Sequence, residues 1–322
     1  MEYTYLGKAG LQVSRLCLGT MNFGRVTPEK EAHKIMDKSL DHGINFFDTA
    51  NAYGGEKGEG ITEKILGKWF SHDKTRRDKI VLATKVYGEM GSGINDKRLS
   101  AYHIRKACED SLSRMKTDHI DLYQMHHVDR NTPWDEIWQA LEQLIASGKI
   151  IYAGSSNFAG WDIAAACESA SKRNLLGLVS EQSKYNLFNR FVEREVIPAC
   201  KYYGIGIIPW SPLEGGLLGG VLKGTGRKRR DTEEIKNKLK NNREKIERWE
   251  KFCEELKEEP ANVALAWLMN QTAVTAPIIG PRTSTQLNKS IRALEINLDE
   301  EMLKKLDEIF PPAGIAPQYY AW

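Results

Sequence analysis

Short β-rich runs recur along the chain, and each gives way to a stretch in which apolar residues return every three or four positions. The runs fall at 15–19, 45–48, 80–85, 120–125, 150–154, 178–182, 206–210 and 276–280. Most begin at the spacing a strand–helix–strand crossover needs, and only the last gap is markedly longer. Eight such units favour a closed parallel barrel over an open doubly wound sheet, so the expected fold is α/β, a (β/α)8 TIM barrel. Segments 3–6 and 11–14 flank Gly7-Lys8-Ala9-Gly10 and read as a hairpin before the first barrel strand. It is expected to plug one end of the barrel.

The helical stretches carry start and stop signals. Thr27-Pro28 and Thr132-Pro133 each read as an N-cap followed by proline in the first turn, with Gly43 and Gly148 at the far ends. Trp134, Ile137, Trp138, Leu141, Leu144 and Ile145 form one apolar face at the helical period. Ser100 can cap a helix that turns Ile104, Ala107, Cys108, Leu112 and Met115 inward. The long last gap holds an insertion, about 214–259. It is first rich in glycine, then basic, then a polar helix over 232–259 with Ile235, Leu239, Ile246, Trp249, Cys253 and Leu256 on one side and Asn242 at heptad spacing. A coiled coil is one reading of it; a helix laid along the barrel wall with one buried seam is the plainer one. Pro260 starts the next helix, and 311–322 is read as a tail without periodicity.

Composition narrows the class. The 322 residues are 41% hydrophobic and 28% charged, ordinary for a globular chain and read as one domain over 1–322. The formal net charge of +3 gives no nucleic-acid surface. No apolar run reaches membrane-spanning length and the N-terminus does not read as a signal peptide. Five widely spaced cysteines form neither a disulfide framework nor a zinc pattern. A cytoplasmic setting is expected.

In a parallel barrel, side chains at the C-terminal strand ends converge on one mouth. Here those ends supply Asp48, Lys85 and His126, with Tyr53 in the loop after Asp48. A carboxylate, an amine, an imidazole and a phenol suit proton transfer to a carbonyl oxygen. Free tyrosine is a weak acid at neutral pH, and an adjacent Lys85 ammonium is expected to lower its pKa. Asp48 would keep Lys85 charged, and His126 would orient the carbonyl or relay a proton. Taken singly, Asp48 could serve only its loop, Lys85 could be solvated and His126 could be a core histidine. It is their place at successive strand ends that favours the functional reading.

The segment Asn45-Phe46-Phe47-Asp48-Thr49-Ala50-Asn51-Ala52-Tyr53-Gly54 resembles the aldo-keto reductase signature. Ala83-Thr84-Lys85, Asp121-Leu122-Tyr123-Gln124-Met125-His126, Gly154-Ser155-Ser156-Asn157-Phe158, Glu181-Gln182-Ser183-Lys184-Tyr185-Asn186 and Pro209-Trp210-Ser211-Pro212-Leu213 extend the resemblance nearly end to end. The chain looks most similar to a bacterial branch that also resembles potassium-channel beta subunits. The resemblance implies a (β/α)8 barrel, NADPH as cofactor with NADH as an alternative, and Asp48, Tyr53, Lys85 and His126 as a catalytic tetrad. His127 falls where the family often has a substrate-facing aromatic.

Neither GxGxxG nor GxxxxGK[ST] is present: Gly204-Ile205-Gly206 runs into Ile207-Ile208-Pro209, and Gly224-Thr225-Gly226 into Arg227-Lys228-Arg229. A dinucleotide would therefore bind by another device. By the resemblance, Gly19, Thr20, Met21 and Asp48 are cofactor-binding residues, and Ser156, Asn157 and Gln182 bond the nicotinamide carboxamide. Trp210 stacks on the ring and selects the hydride. Ser211, Pro212, Leu213, Gly215 and Gly216 track the pyrophosphate. Gly280, Arg282 and Gln286 meet the adenosine 2′-phosphate end. Lys289 and Ser290 stand where the family commonly has Glu-Asn, and Val221 replaces a lysine that Lys223 or Arg227-Lys228-Arg229-Arg230 could supply. Met21, Phe23, Tyr87, His127, Val128, Tyr319, Tyr320 and Trp322 are candidate pocket walls.

The expected function is reduction of an aldehyde or ketone to the alcohol, with hydride from nicotinamide C4 and a proton from Tyr53. The expected partners are a small carbonyl substrate and, in a homo-oligomer, further copies of the chain. The alternative is an NADPH-sensing regulatory subunit docking a partner through the inserted helix. A metal hydrolase built on His126 and His127 is disfavoured, because neighbours on a strand point to opposite faces.

Overall fold

The computed structural model describes residues 1–55, 60–222 and 233–321. An antiparallel hairpin of β1 (Tyr3–Tyr5) and β2 (Gln12–Ser14) comes first. Eight parallel strands follow: β3 (Cys17–Gly19), β4 (Phe46–Asp48), β5 (Val81–Val86), β6 (Ile120–Met125), β7 (Ile150–Ser156), β8 (Leu178–Gln182), β9 (Gly206–Ile207) and β10 (Ile278–Ile279). Each of β3 to β8 pairs with the next strand in sequence, β9 pairs with β8, and β10 pairs back onto β3. The ring closes between β9 and the segment leading into β10. Ile207 N–H donates to the Ala273 carbonyl at 2.9 Å, Thr275 N–H to the Ile207 carbonyl at 2.8 Å, and Ile278 N–H to the Pro209 carbonyl at 2.9 Å. The fold is the expected (β/α)8 barrel.

The helices between strands are α1 (Glu29–Asp41), α2 (Ile61–His72), α3 (Ala101–Met115), α4 (Trp134–Ala146), α5 (Gly160–Lys172) and α6 (Val196–Tyr203). Then come α7 (Glu233–Asn241), α8 (Arg243–Glu255), α9 (Pro260–Asn270), α10 (Ser284–Ser290), α11 (Glu300–Ile309) and α12 (Gln318–Ala321). Ser100 Oγ accepts from His103 N–H at 3.2 Å, capping α3 as read. Pro28 and Pro133 differ from the reading: each occupies the N-cap itself with extended backbone. Thr132 instead donates to Asp129 and Thr27 to the Arg282 carbonyl. Ile145 closes the predicted face of α4 but lies at its exposed edge.

The hairpin does plug the barrel floor. Leu6, Ala9 and Val13 pack with Cys17, Phe46, Val81, Leu122 and Val179 in an interior cluster separate from the outer core. Its turn needs Gly7, at φ +56, because a Cβ there would lie 2.4 Å from the Val179 carbonyl oxygen. β9 and β10 are shorter than the sequence runs. Pro209 and Pro277 carry no N–H for a ladder, so regular pairing stops before one and starts after the other.

The inserted helix is a further correction. It is two helices, with the chain leaving helical geometry at Asn242 (φ −128°, ψ 24°). Ile235, Ile246, Trp249 and Cys253 are buried in the outer core, as the reading of a wall helix with one buried seam expects, so the alternative of a coiled-coil or docking face is covered. Trp249 alone would bury some 200 Å² of ring surface, which outweighs any preference for a continuous helix.

Candidate active site

Parity along the strands builds the site. On β5, Val81 and Ala83 face the barrel interior, so Lys85 faces it too, one layer higher. Phe46 does the same for Asp48 on β4, and Leu122 for Gln124 on β6. On β8 the period is interrupted. The β7–β8 register shifts between Ala153 and Gly154, which pair with Leu178 and Ser180. The extra residue lets Val179 face the lower interior while Ser180 and Gln182 face the upper.

These side chains meet. Lys85 Nζ donates to Asp48 Oδ1 at 2.6 Å, to the Thr49 carbonyl at 2.8 Å and to the Tyr53 hydroxyl at 3.2 Å. Gln124 and Gln182 donate their amides to Asp48 Oδ2 at 3.0 and 2.8 Å. Gln124 lies in the motif before His126 but is not among the predicted site residues, although its parity with Leu122 marks it. The His126 ring lies edge-on to Tyr53, centroids 5.7 Å apart.

Burial sets the protonation states. Tyr53 is pushed above the ordinary phenol value: burial raises it and Asp48 adds to that, while Lys85 lowers it only in part. The expected net lowering of Tyr53 by Lys85 is therefore overturned. Burial opposes the charge on Lys85, but Asp48 and Tyr53 win and its ammonium is held above the ordinary value. His126 is held well below the ordinary value by burial, then by Lys85 and His127, so its ring is neutral at pH 7.

The two histidines also correct the sequence reading. Both follow the end of β6, so strand alternation does not separate them, and their rings stack at 5.1 Å with 8° between planes. Tyr87 meets His127 edge-on at 5.2 Å. His127 and Met21 line the cleft, and Tyr87 backs His127 from outside it. Phe23 does not reach the cleft; it is wholly buried in the outer core, and Val128 is likewise not part of the wall. Tyr319 and Tyr320 are exposed elsewhere, Tyr319 lying against the Arg194 guanidinium, and Trp322 lies outside the described residues.

A cleft of about 630 Å³ runs from Tyr53 and His126 to Ser290. Its walls include Gly19, Thr20, Met21, Asp48, Ser156, Asn157, Gln182, Trp210, Ser211, Pro212, Leu213, Gly215 and Gly216. Gly280, Arg282, Gln286, Lys289 and Ser290 close the far end, so of the proposed dinucleotide contacts only Arg230, with Lys223 and Arg227-Lys228-Arg229, lies outside the described residues. Asn22, Glu259, Ala261, Asn262 and Leu265 also line it and were not foreseen. A Cβ on Gly19 would lie 2.4 Å from the Ile278 side chain, so glycine keeps that wall open.

The near end is already ordered. Ser156 Oγ donates to the Gln182 carbonyl at 2.8 Å, and Trp210 Nε1 donates to Asn157 Oδ1 at 2.9 Å. Glu214, beside the glycines, accepts from Lys184, Lys238 and Asn186, which ties the loop to α7. At the far end the Arg282 guanidinium has no acidic partner among the described residues. A long cleft with a flat indole at one end and a guanidinium at the other fits a dinucleotide.

Barrel, buried Lys–Asp–Tyr chain and cleft are the features of an oxidoreductase; among the described residues no group of three or more His, Cys, Asp or Glu side chains could hold a metal ion. A model of the aldo/keto reductase family matches residues 15–310, and the chain belongs to that family. It is 55% identical over the full length of both chains to the uncharacterized oxidoreductase YrpG of Bacillus subtilis. It is 33% identical to a probable voltage-gated potassium channel subunit beta of Arabidopsis thaliana, covering 99% of this chain and all of that one. It is 31% identical to the versiconal hemiacetal acetate reductase of Aspergillus parasiticus, covering 98% and 99%. The family generally uses nicotinamide cofactors. No helix among the described residues is long and apolar enough to cross a membrane.

Proposed function

We propose that the protein reduces an aldehyde or ketone to the alcohol, with Tyr53 as the proton donor. The supporting observation is the chain Asp48–Lys85–Tyr53, buried except where the phenol opens onto the cleft. When bound, a reduced nicotinamide supplies hydride from C4 to the carbonyl carbon. Tyr53 transfers its proton to the carbonyl oxygen as negative charge builds there. Lys85 stabilises the phenolate left behind, and Asp48 keeps Lys85 charged and aimed. Neutral His126, across the Tyr53 ring, hydrogen-bonds the substrate oxygen and orients it. Ser156, Asn157 and Gln182 hold the carboxamide, and Trp210 covers one face of the ring. Solvent reprotonates Tyr53 after the alcohol leaves.

The unpartnered Arg282 favours NADPH over NADH, because a guanidinium matches a 2′-phosphate in charge and shape. Met21 and His127, backed by Tyr87, form the substrate wall, so the substrate is a small carbonyl compound with an apolar or aromatic substituent. The five cysteines, all buried and none in a disulfide, suit a reducing compartment such as the cytoplasm.

The test is a panel of aldehydes and ketones, following loss of nicotinamide absorbance with NADPH and NADH. Reduction of several members, faster with NADPH, is expected. Tyr53→Phe is expected to lose at least a thousandfold in kcat while still binding NADPH. Wild-type turnover in that variant would remove Tyr53 from the chemistry.

A further inference from the structure

The far end of the cleft is shaped by α9 and α10. Its polar side chains are nearly all engaged. Ser290 Oγ donates to the Gln286 carbonyl at 3.1 Å, inside its own helix. Gln286 Oε1 accepts from the Arg282 backbone N–H at 2.8 Å. Lys289 Nζ and Glu259 Oε1 pair at 2.6 Å. Two groups there are left without a protein partner among the described residues: the Arg282 guanidinium and the Asn262 amide.

Asn262 is the more telling. It is only 5% exposed, lines the cleft, and accepts or donates no side-chain hydrogen bond within the protein. Its amide opens on the cleft and not on the protein, so a ligand lying there is the partner within its reach. It lies on the same face of α9 as Ala261 and Leu265, which offer an apolar bed beside it.

Resting on the dinucleotide reading above, we propose that Asn262 reads the adenine edge of the cofactor. The reactive ring must lie beside Tyr53, so the other base falls at this far end. An amide presents one donor and one acceptor side by side. Adenine presents the complement, a ring nitrogen that accepts and an exocyclic amino group that donates. Lys289 and Glu259 neutralise each other and Ser290 is spent on its helix, so among the cleft's side chains Asn262 is the one with both halves of that pair free. Arg282, which has donors only, takes the phosphate.

The experiment measures binding, by calorimetry, of two probes to the full-length protein. They are adenosine 2′,5′-bisphosphate and the same bisphosphate carrying unsubstituted purine, which lacks the amino group. Wild type is expected to bind the adenine probe about fivefold to tenfold tighter. Asn262→Leu, close in shape but without polar atoms, is expected to bind the two equally. Asn262→Asp keeps the acceptor for the amino group and is expected to keep the preference. Melting temperatures near that of wild type show that the variants fold. A preference that persists in Asn262→Leu, or is missing from wild type while both probes bind, overturns the assignment of Asn262. Failure of wild type to bind NADP+ or either probe overturns the dinucleotide reading itself, and the assignment with it.

Discussion

Trp210 donates its indole N–H to Oδ1 of Asn157 across 2.9 Å. The same Asn157 donates from Nδ2 to the His126 carbonyl and to Ser156 Oγ, at 3.1 and 3.0 Å. One side chain thus ties together the segments that follow β6, β7 and β9. Its own backbone sits at φ +61, a conformation asparagine tolerates better than most residues.

From this tie follows a first prediction. Asn157→Gly keeps the backbone conformation easy but removes all three bonds. Dinucleotide affinity, read by quenching of tryptophan fluorescence, is expected to weaken about tenfold, since Trp210 and the carboxamide contacts lose their common anchor. Affinity within twofold of wild type would show that the indole is held by other contacts.

A second prediction concerns Tyr53. Burial and Asp48 outweigh Lys85 and hold its phenol above the ordinary value. Tyr53 therefore stays protonated throughout neutrality. Ultraviolet difference titration of wild type against Tyr53→Phe is expected to show no tyrosinate from this position up to pH 10. Its appearance near pH 8 would mean that the Lys85 charge dominates after all.

The Lys85–Asp48 pair gives a third. Both groups are buried, so removing the carboxylate strands an ammonium away from water. Asp48→Asn is expected to cost about 3–5 kcal/mol in urea unfolding. Lys85→Met placed on top of it should recover part of that loss, because the stranded charge is gone. A loss under 1 kcal/mol for Asp48→Asn would indicate that water reaches Lys85.

Glu181 provides a pH test. It is buried, and accepts from Ser155 Oγ at 2.5 Å, Ser183 Oγ at 2.6 Å and Phe158 N–H at 3.2 Å. Burial, countered in part by those donors, lifts its carboxyl from the ordinary 4.5 to about 7. The fold then holds this proton more tightly than the unfolded chain does. Its contribution favours the fold at low pH and is lost as pH rises from the unfolded value to about 7, on the order of 3 kcal/mol in all. Glu181→Gln has no proton to lose. The stability of wild type relative to this variant is expected to fall by roughly 2–3 kcal/mol between pH 5 and pH 8. A difference that stays constant with pH would place the carboxyl at its ordinary value.

The sequence by itself determined the barrel and its chemistry at the level of strand ends. Asp48 and Lys85 end successive β runs and His126 directly follows the next, so a closed parallel sheet must bring them to one mouth whatever the side-chain details. What lay beyond it were facts that depend on contacts far apart in the chain. The inserted helix breaks at Asn242 because Ile235 below the break and Ile246 and Trp249 above it are buried against the barrel. Phe23 turned inward to the core, and the two histidines lie side by side because strand alternation ends at Met125. Tyr53 is a weaker acid than its cationic neighbour suggests, since burial is a property of the whole fold and not of adjacent residues. The place of Asn262 on the cleft wall carries no local signal, because in sequence it is one polar residue in the first turn of a helix. Above all, one extra residue in β8 decides that Gln182 looks into the site and Glu181 away from it. Periodicity fixes alternation along a strand, but only pairing with β7 fixes where that alternation slips.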